Sequence, residues 1–144
     1  GQFQHTIDDK GRVSIPARVR EELREGAYMT KGPDHCLFLY ASEEWKALCQ
    51  RGKERLSFTN PNNRAFSRVF FSGAEPLELD KLGRARVPGH LREYAHLDKD
   101  VIIIGAGSRM EIWDKAAWDA YSSATTEDYD AIISEMADFD VDLF

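Results

Sequence analysis

Two arginines carry the most suggestive chemistry in this chain of 144 residues. Each follows the same kind of turn: Asp8-Asp9-Lys10-Gly11-Arg12 near the start, and Asp80-Lys81-Leu82-Gly83-Arg84 past the middle. In Asp-x-x-Gly the carboxylate can accept from backbone N–H groups ahead of it, and glycine supplies the positive φ of a tight turn. An arginine placed directly after that glycine opens the outgoing strand. Its guanidinium is a planar fork that pairs with guanine O6 and N7 or clamps a phosphate. The same fork can instead turn back, Arg12 onto Asp8 and Arg84 onto Asp80, and lock the hairpin. The residues by themselves leave both readings open. Lys10, Lys81 and Arg86 stand beside the turns as candidate phosphate contacts, while Asp8, Gly11, Asp80 and Gly83 shape them. The copies are unequal, because Leu82 stands where the first copy has Lys10, and the second gains Lys81 and Arg86. Arg18, Arg20 and Arg92 are weaker candidates; Arg20 and Arg92 recur with Glu21 and Glu93, which suggests structural ion pairs.

The turns belong to an internal duplication. A shift of 72 superposes Ile7, Asp8, Gly11, Arg12, Val13, Ile15, Pro16, Val19, Arg20 and Glu21 on Leu79, Asp80, Gly83, Arg84, Ala85, Val87, Pro88, Leu91, Arg92 and Glu93. A shift of 73 then superposes Gly32, Leu39, Tyr40 and Trp45 on Gly105, Ile112, Trp113 and Trp118. Alternation at Val13 and Ile15, and at Ala85 and Val87, predicts half-buried strands after each turn. Pro16 and Pro88 suit the first turn of a short helix, with Val19 and Leu23, then Leu91 and Ala95, on its buried face. Further strands are predicted at Tyr28–Thr30, Cys36–Tyr40, Val101–Ile104 and Met110–Trp113, followed by helices capped near Ser42 and Asp114. Glu43–Leu56 and a second helix begun by Asn60-Pro61 form a helical connector, with Phe66, Val69 and Phe70 on one face. A last helix is expected to start at Thr125, with Tyr129, Ile132, Ile133 and Met136 as an apolar stripe that Phe139 extends. The organisation read from this is repeat one at 2–45, connector at 46–72, repeat two at 73–119 and an acidic helix or tail at 120–144. Half a chain of this size buries too little to stand alone, so the halves are expected to share a core.

The formal net charge of −6 is unevenly spread. Residues 110–144 hold one basic and ten acidic side chains, whereas residues 1–109 hold eighteen basic and fifteen acidic. Mildly basic character over the repeats is compatible with DNA binding by one face. The longest apolar run, Val101–Ile104, is strand-sized, so no membrane span is expected. No signal peptide is apparent, and opening on Gly1 suggests a trimmed N-terminus. Cys36 and Cys49 fit no metal-ligand spacing and read as reduced thiols in the cytosol, and His5, His35, His90 and His96 lie in unrelated contexts. No metal, cofactor or small-molecule substrate is expected. An enzyme is disfavoured: there is no Ser-His-Asp or Cys-His pattern, no Walker-type loop, and Gly105-Ala106-Gly107 opens no helix.

The segment Thr6-Ile7-Asp8-Asp9-Lys10-Gly11-Arg12-Val13-Ser14-Ile15-Pro16 resembles the signature of the AbrB/SpoVT-type swapped-hairpin β-barrel. Two copies flanking Asn62-Asn63-Arg64-Ala65-Phe66 and Phe70-Phe71-Ser72-Gly73-Ala74, together with Ile102-Ile103-Ile104-Gly105 and Glu111-Ile112-Trp113, resemble the MraZ family. The resemblance implies an α+β fold, mainly β with helices. Two tandem swapped-hairpin repeats would interlock as a pseudo-dimer, joined by the helical connector and followed by a C-terminal helix. It implies a cytoplasmic, nucleoid-associated transcriptional regulator that binds double-stranded DNA at repeated short G-rich sites in the promoter of the division and cell-wall gene cluster. It further implies a ring-shaped homo-oligomer, with eight subunits as a candidate number. Arg12 and Arg84 then become the DNA-contacting residues and Asp8 and Asp80 the residues that orient their loops. Some antitoxins share the barrel, so a protein-binding module using the acidic segment 127–144 is the alternative.

Overall fold

A computed structural model describes residues 1–138. Its elements are β1 (Gln2–Thr6), β2 (Arg12–Ser14), α1 (Ala17–Glu22), β3 (Ala27–Lys31), β4 (Leu37–Ala41), α2 (Ser42–Arg55) and α3 (Pro61–Phe70). They continue as β5 (Glu75–Pro76), β6 (Arg84–Arg86), α4 (Gly89–Tyr94), β7 (Asp100–Gly105), β8 (Met110–Asp114), α5 (Lys115–Glu127) and α6 (Tyr129–Asp138). The fold is α+β, as the resemblance implies.

The two repeats exchange strands. Six strands form one antiparallel sheet in the order β1-β7-β8-β4-β3-β5. The first strand of repeat one, β1, pairs with the third of repeat two along Gln2↔Ile104 to Thr6↔Asp100. Reciprocally, β5 of repeat two pairs with β3 of repeat one at Tyr28↔Pro76 and Met29↔Glu75. The equivalent strands β4 and β8 meet at the centre, Leu37↔Ile112 to Leu39↔Met110. The order therefore reads as a local two-fold, and neither half completes a sheet by itself.

Burial explains why the inner strands are apolar without alternation. One face of the sheet, with Met29, Leu37, Leu39, Val101, Ile103 and Ile112, packs against Val13, Ile15, Ala85 and Val87 and the short helices through Val19 and Leu91. The other face, with Phe38, Tyr40, Ile102, Ile104 and Trp113, packs against an aromatic layer containing Trp45 and Phe70. A strand covered on both sides has no reason to place polar residues at every second position. Polar groups inside are satisfied: Thr30 donates to the Phe70 carbonyl at 2.6 Å, tying α3 to β3. Buried Glu111 accepts from Trp113 Nε1 at 2.9 Å and from Arg109 Nε at 3.0 Å, and the Arg109 guanidinium lies 3.9 Å from the Phe38 ring centre. Burial also pushes the neighbouring Cys36 thiol up to about 12.

Helix ends follow local chemistry, with two departures from expectation. Asn60 caps α3 by accepting from Asn62 N at 2.8 Å, and Asp114 caps α5 through Ala117 N at 3.1 Å. Ser42 caps nothing; Ala41 holds the cap position and Ser42 is already helical. Thr125 does not start the last helix either. It lies inside α5 and its hydroxyl donates back to the Tyr121 carbonyl at 2.8 Å, the usual outlet for a helical threonine. The new helix begins at Tyr129, and Phe139 lies outside the described residues.

Candidate nucleic-acid interface

The two turns are near-copies. Asp8 Oδ1 accepts from Lys10 N at 3.0 Å and Arg12 N at 2.9 Å, and Asp8 Oδ2 accepts from Arg12 Nε at 2.6 Å. Asp80 repeats this with Leu82 N and Arg84 N, both at 2.9 Å, and with Arg84 Nε at 2.7 Å. Gly11 and Gly83 close the turns at φ +81° and +75°. The Arg12 backbone N–H chiefly, and its side chain next, hold the Asp8 carboxyl below its ordinary value; Arg84 does the same to Asp80. Both carboxylates are thus charged wherever the protein is folded near neutrality.

Within each repeat the arms of the turn share one isolated bridge, Ile7↔Val13 or Leu79↔Ala85. A two-stranded ribbon forms between the two hairpins, not inside either of them. β2 pairs with β6 at Arg12↔Arg86, Val13↔Ala85 and Ser14↔Arg84. Ile15 N donates to the Gly83 carbonyl at 3.0 Å and Val87 N to the Gly11 carbonyl at 2.8 Å, so each strand runs on past the other turn's glycine. Strand alternation sends Val13 and Ala85, both fully buried, into the core. It leaves Arg12, Ser14, Arg84 and Arg86 together on the opposite face.

On that face each arginine makes the turn-locking contact and keeps part of its side chain exposed. The Nε of Arg12 and of Arg84 is engaged by the turn aspartate, while the side chains stay 33% and 28% exposed. Among the described residues their terminal Nη groups meet no protein acceptor. Arg86 is exposed, as are Lys10 and Lys81 at the turn tips. Arg12, Arg84 and Arg86 line an open depression of about 410 Å³ together with Glu78, Leu79 and Asp80. The aspartate fixes each guanidinium through its Nε, while the side chain keeps partial access to solvent.

Arg20 and Arg92 are braces rather than partners of Glu21 and Glu93. Arg20 Nη1 donates to the Ile15 carbonyl at 2.6 Å and covers Gly83, while Arg92 reaches the Asp9 carbonyl at 3.3 Å. Each crosses to the other repeat's turn, and Glu21 pairs with Arg24 instead, at 3.2 Å. Ser14 was missed as a member of the face. Its equivalence to Arg86 under the shift of 72 was the available signal. Among the described residues no three metal-ligating side chains converge, and no helix is long and apolar enough to cross a membrane.

Reciprocal strand exchange between tandem repeats, with a shared ribbon between two Asp-x-x-Gly-Arg turns, defines the class of tandem SpoVT/AbrB-type swapped-hairpin proteins. A family model described as "MraZ protein, putative antitoxin-like" matches the chain twice, at residues 1–69 and 70–140. The chain belongs to the MraZ family. Proteins named "Transcriptional regulator MraZ" are similar to it over nearly their whole length. The one from Moorella thermoacetica is 49% identical, covering 98% of both chains, and that from Carboxydothermus hydrogenoformans 51% identical, covering 96% of both. A third, from Desulfitobacterium hafniense, is 53% identical over 90% of each.

Proposed function

We propose that the chain is a DNA-binding transcriptional regulator that lays the β2–β6 ribbon into the major groove. The single observation that supports this is the grouping of Arg12, Arg84 and Arg86 on the solvent face of a two-stranded ribbon, an element whose width suits that groove. The outward forks of Arg12 and Arg84 read guanine edges, which accords with short G-rich sites, and Arg86, Lys10 and Lys81 hold phosphates beside them. The regulator works in the cytoplasm on the nucleoid, at repeated sites ahead of the division and cell-wall gene cluster. It acts as a homo-oligomeric ring, whose repeated modules raise the effective concentration of each ribbon at the next site.

The test is a titration of promoter DNA with Arg12→Ala. Losing one bidentate arginine–guanine pair costs about 1–3 kcal/mol, so each contacted site should weaken roughly 5- to 150-fold, with fold and assembly intact. Unchanged affinity would sink the proposal. The family description also favours a second reading, an antitoxin-like protein-binding module. A stoichiometric protein partner in a chain without DNA affinity would point there.

A further inference from the structure

We infer that α6 of one copy docks in the groove between α2 and α3 of a second copy. The inference rests on the homo-oligomer proposed above and names the surfaces that build it. α6 carries Tyr129, Ile132, Ile133 and Met136 at i, i+3, i+4 and i+7, the anchor spacing of a helix that lies in an apolar groove. No residue of α6 or of α5 is buried; Tyr129 is 58% exposed, and Ile132, Ile133 and Met136 are only half-buried. Ten residues of helix are marginal without packing, so this stripe needs a surface. The flanks of α6 are acidic, with Asp128, Asp130, Glu135 and Asp138 and no base.

The chain offers the complement elsewhere. Leu56, Phe58, Phe71, Gly52 and Cys49 line a hollow of about 620 Å³ between α2 and α3, and Lys53 and Arg68 belong to its lining. Arg51, Arg55 and Arg64 extend the positive charge, leaving Glu54 as the one acid from Lys46 to Ser72. Phe58 is 70% exposed there. An acidic helix with an apolar stripe and a largely apolar groove flanked by basic side chains are complementary in chemistry and in sign. In its own chain α6 hangs from α5 by Asp128 alone, and α5 packs on β7 and β8, whereas α2 and α3 lie on the half of the sheet that contains β3 and β4. Donor helix and acceptor groove are different surfaces, so the contact is heterologous and propagates from copy to copy until it closes.

The experiment is sedimentation velocity on the full chain, a double Ile132→Asp, Ile133→Asp variant, a Phe58→Asp variant, and their equal mixture. All three positions lie outside the buried core, and circular dichroism checks the folded state. The expected result is a wild type larger than a dimer and two monomeric variants. Their mixture should form a one-to-one dimer and nothing larger, because one intact helix meets one intact groove. Variants that keep the wild-type mass, or a mixture that stays monomeric, overturn this interface while leaving the assembly reading standing. A monomeric wild type, with α6 in its own groove or reserved for another partner, overturns both.

Discussion

Gly11 and Gly83 hold the same backbone conformation but sit against different neighbours, and the difference is measurable. A Cβ on Gly11 would lie 2.9 Å from the Val87 carbonyl, which is backbone of the shared ribbon. On Gly83 it would lie 2.8 Å from Arg20 Nη1, the far end of a flexible side chain. Both substitutions by alanine meet the left-handed penalty of about 1–2 kcal/mol. Gly11→Ala adds a displacement of the ribbon and should cost roughly 1 kcal/mol more than Gly83→Ala in urea unfolding. The turn aspartates carry a pH signature. A carboxyl held below its ordinary 3.8 contributes stability that is fully present above that value and lost as pH falls through the folded value. The stability gap between wild type and Asp8→Asn should therefore stay open down to about pH 4 and close below it. At this scale the sequence was readable, because a turn's hydrogen bonds are made by residues two to four positions apart. Of its two accounts of Arg12, the lock is present as the Asp8 contact, and the exposed remainder of the side chain is what the DNA-binding proposal uses.

Strands and helices were recognisable from their periodicity, and their partners were not. Val13, Ser14 and Ile15 announce a strand, but its mate is 72 residues away and no local signal records that pairing. The consequence is that Arg86, not a residue of the first turn, sits opposite Arg12. Arg86→Ala should weaken promoter binding by roughly 5-fold or more, whereas Arg18→Ala, on the exposed side of α1 and off the ribbon, should leave it near wild type. Fluorescence anisotropy at two salt concentrations separates the two and also reports the change in salt slope. The sheet centre tests the packing. Ile103 is fully buried between Phe3 and Ile112 in the ladder, and Ile103→Ala should cost about 2–5 kcal/mol in chemical denaturation. The mistaken start of the last helix has the same root as the missed ribbon. Thr125 has cap chemistry, but a threonine can spend its hydroxyl on the turn behind it, and only the backbone decides which.

For the molecule as a whole, the reciprocal pairing of β1 with β7 and β5 with β3 means that neither repeat is a folding unit. Cutting the chain between Phe58 and Thr59 should give two pieces that are not folded monomers, yet associate one-to-one when mixed. Circular dichroism and sedimentation of the pieces, apart and together, check this. The uneven charge belongs to this scale too. The mildly basic residues 1–109 and the acidic residues 110–144 sum to −6, a number that describes neither segment.

In a dimer of identical chains every substitution at the shared ribbon is made twice. Here it is made once, so Ser14 faces Arg84 along one edge while Arg86 faces Arg12 along the other. A reader with unlike edges has no call for a palindrome. If the ribbon binds DNA as proposed, it can settle on an asymmetric sequence in one orientation, and the proposed ring of such ribbons would suit direct repeats, not inverted ones.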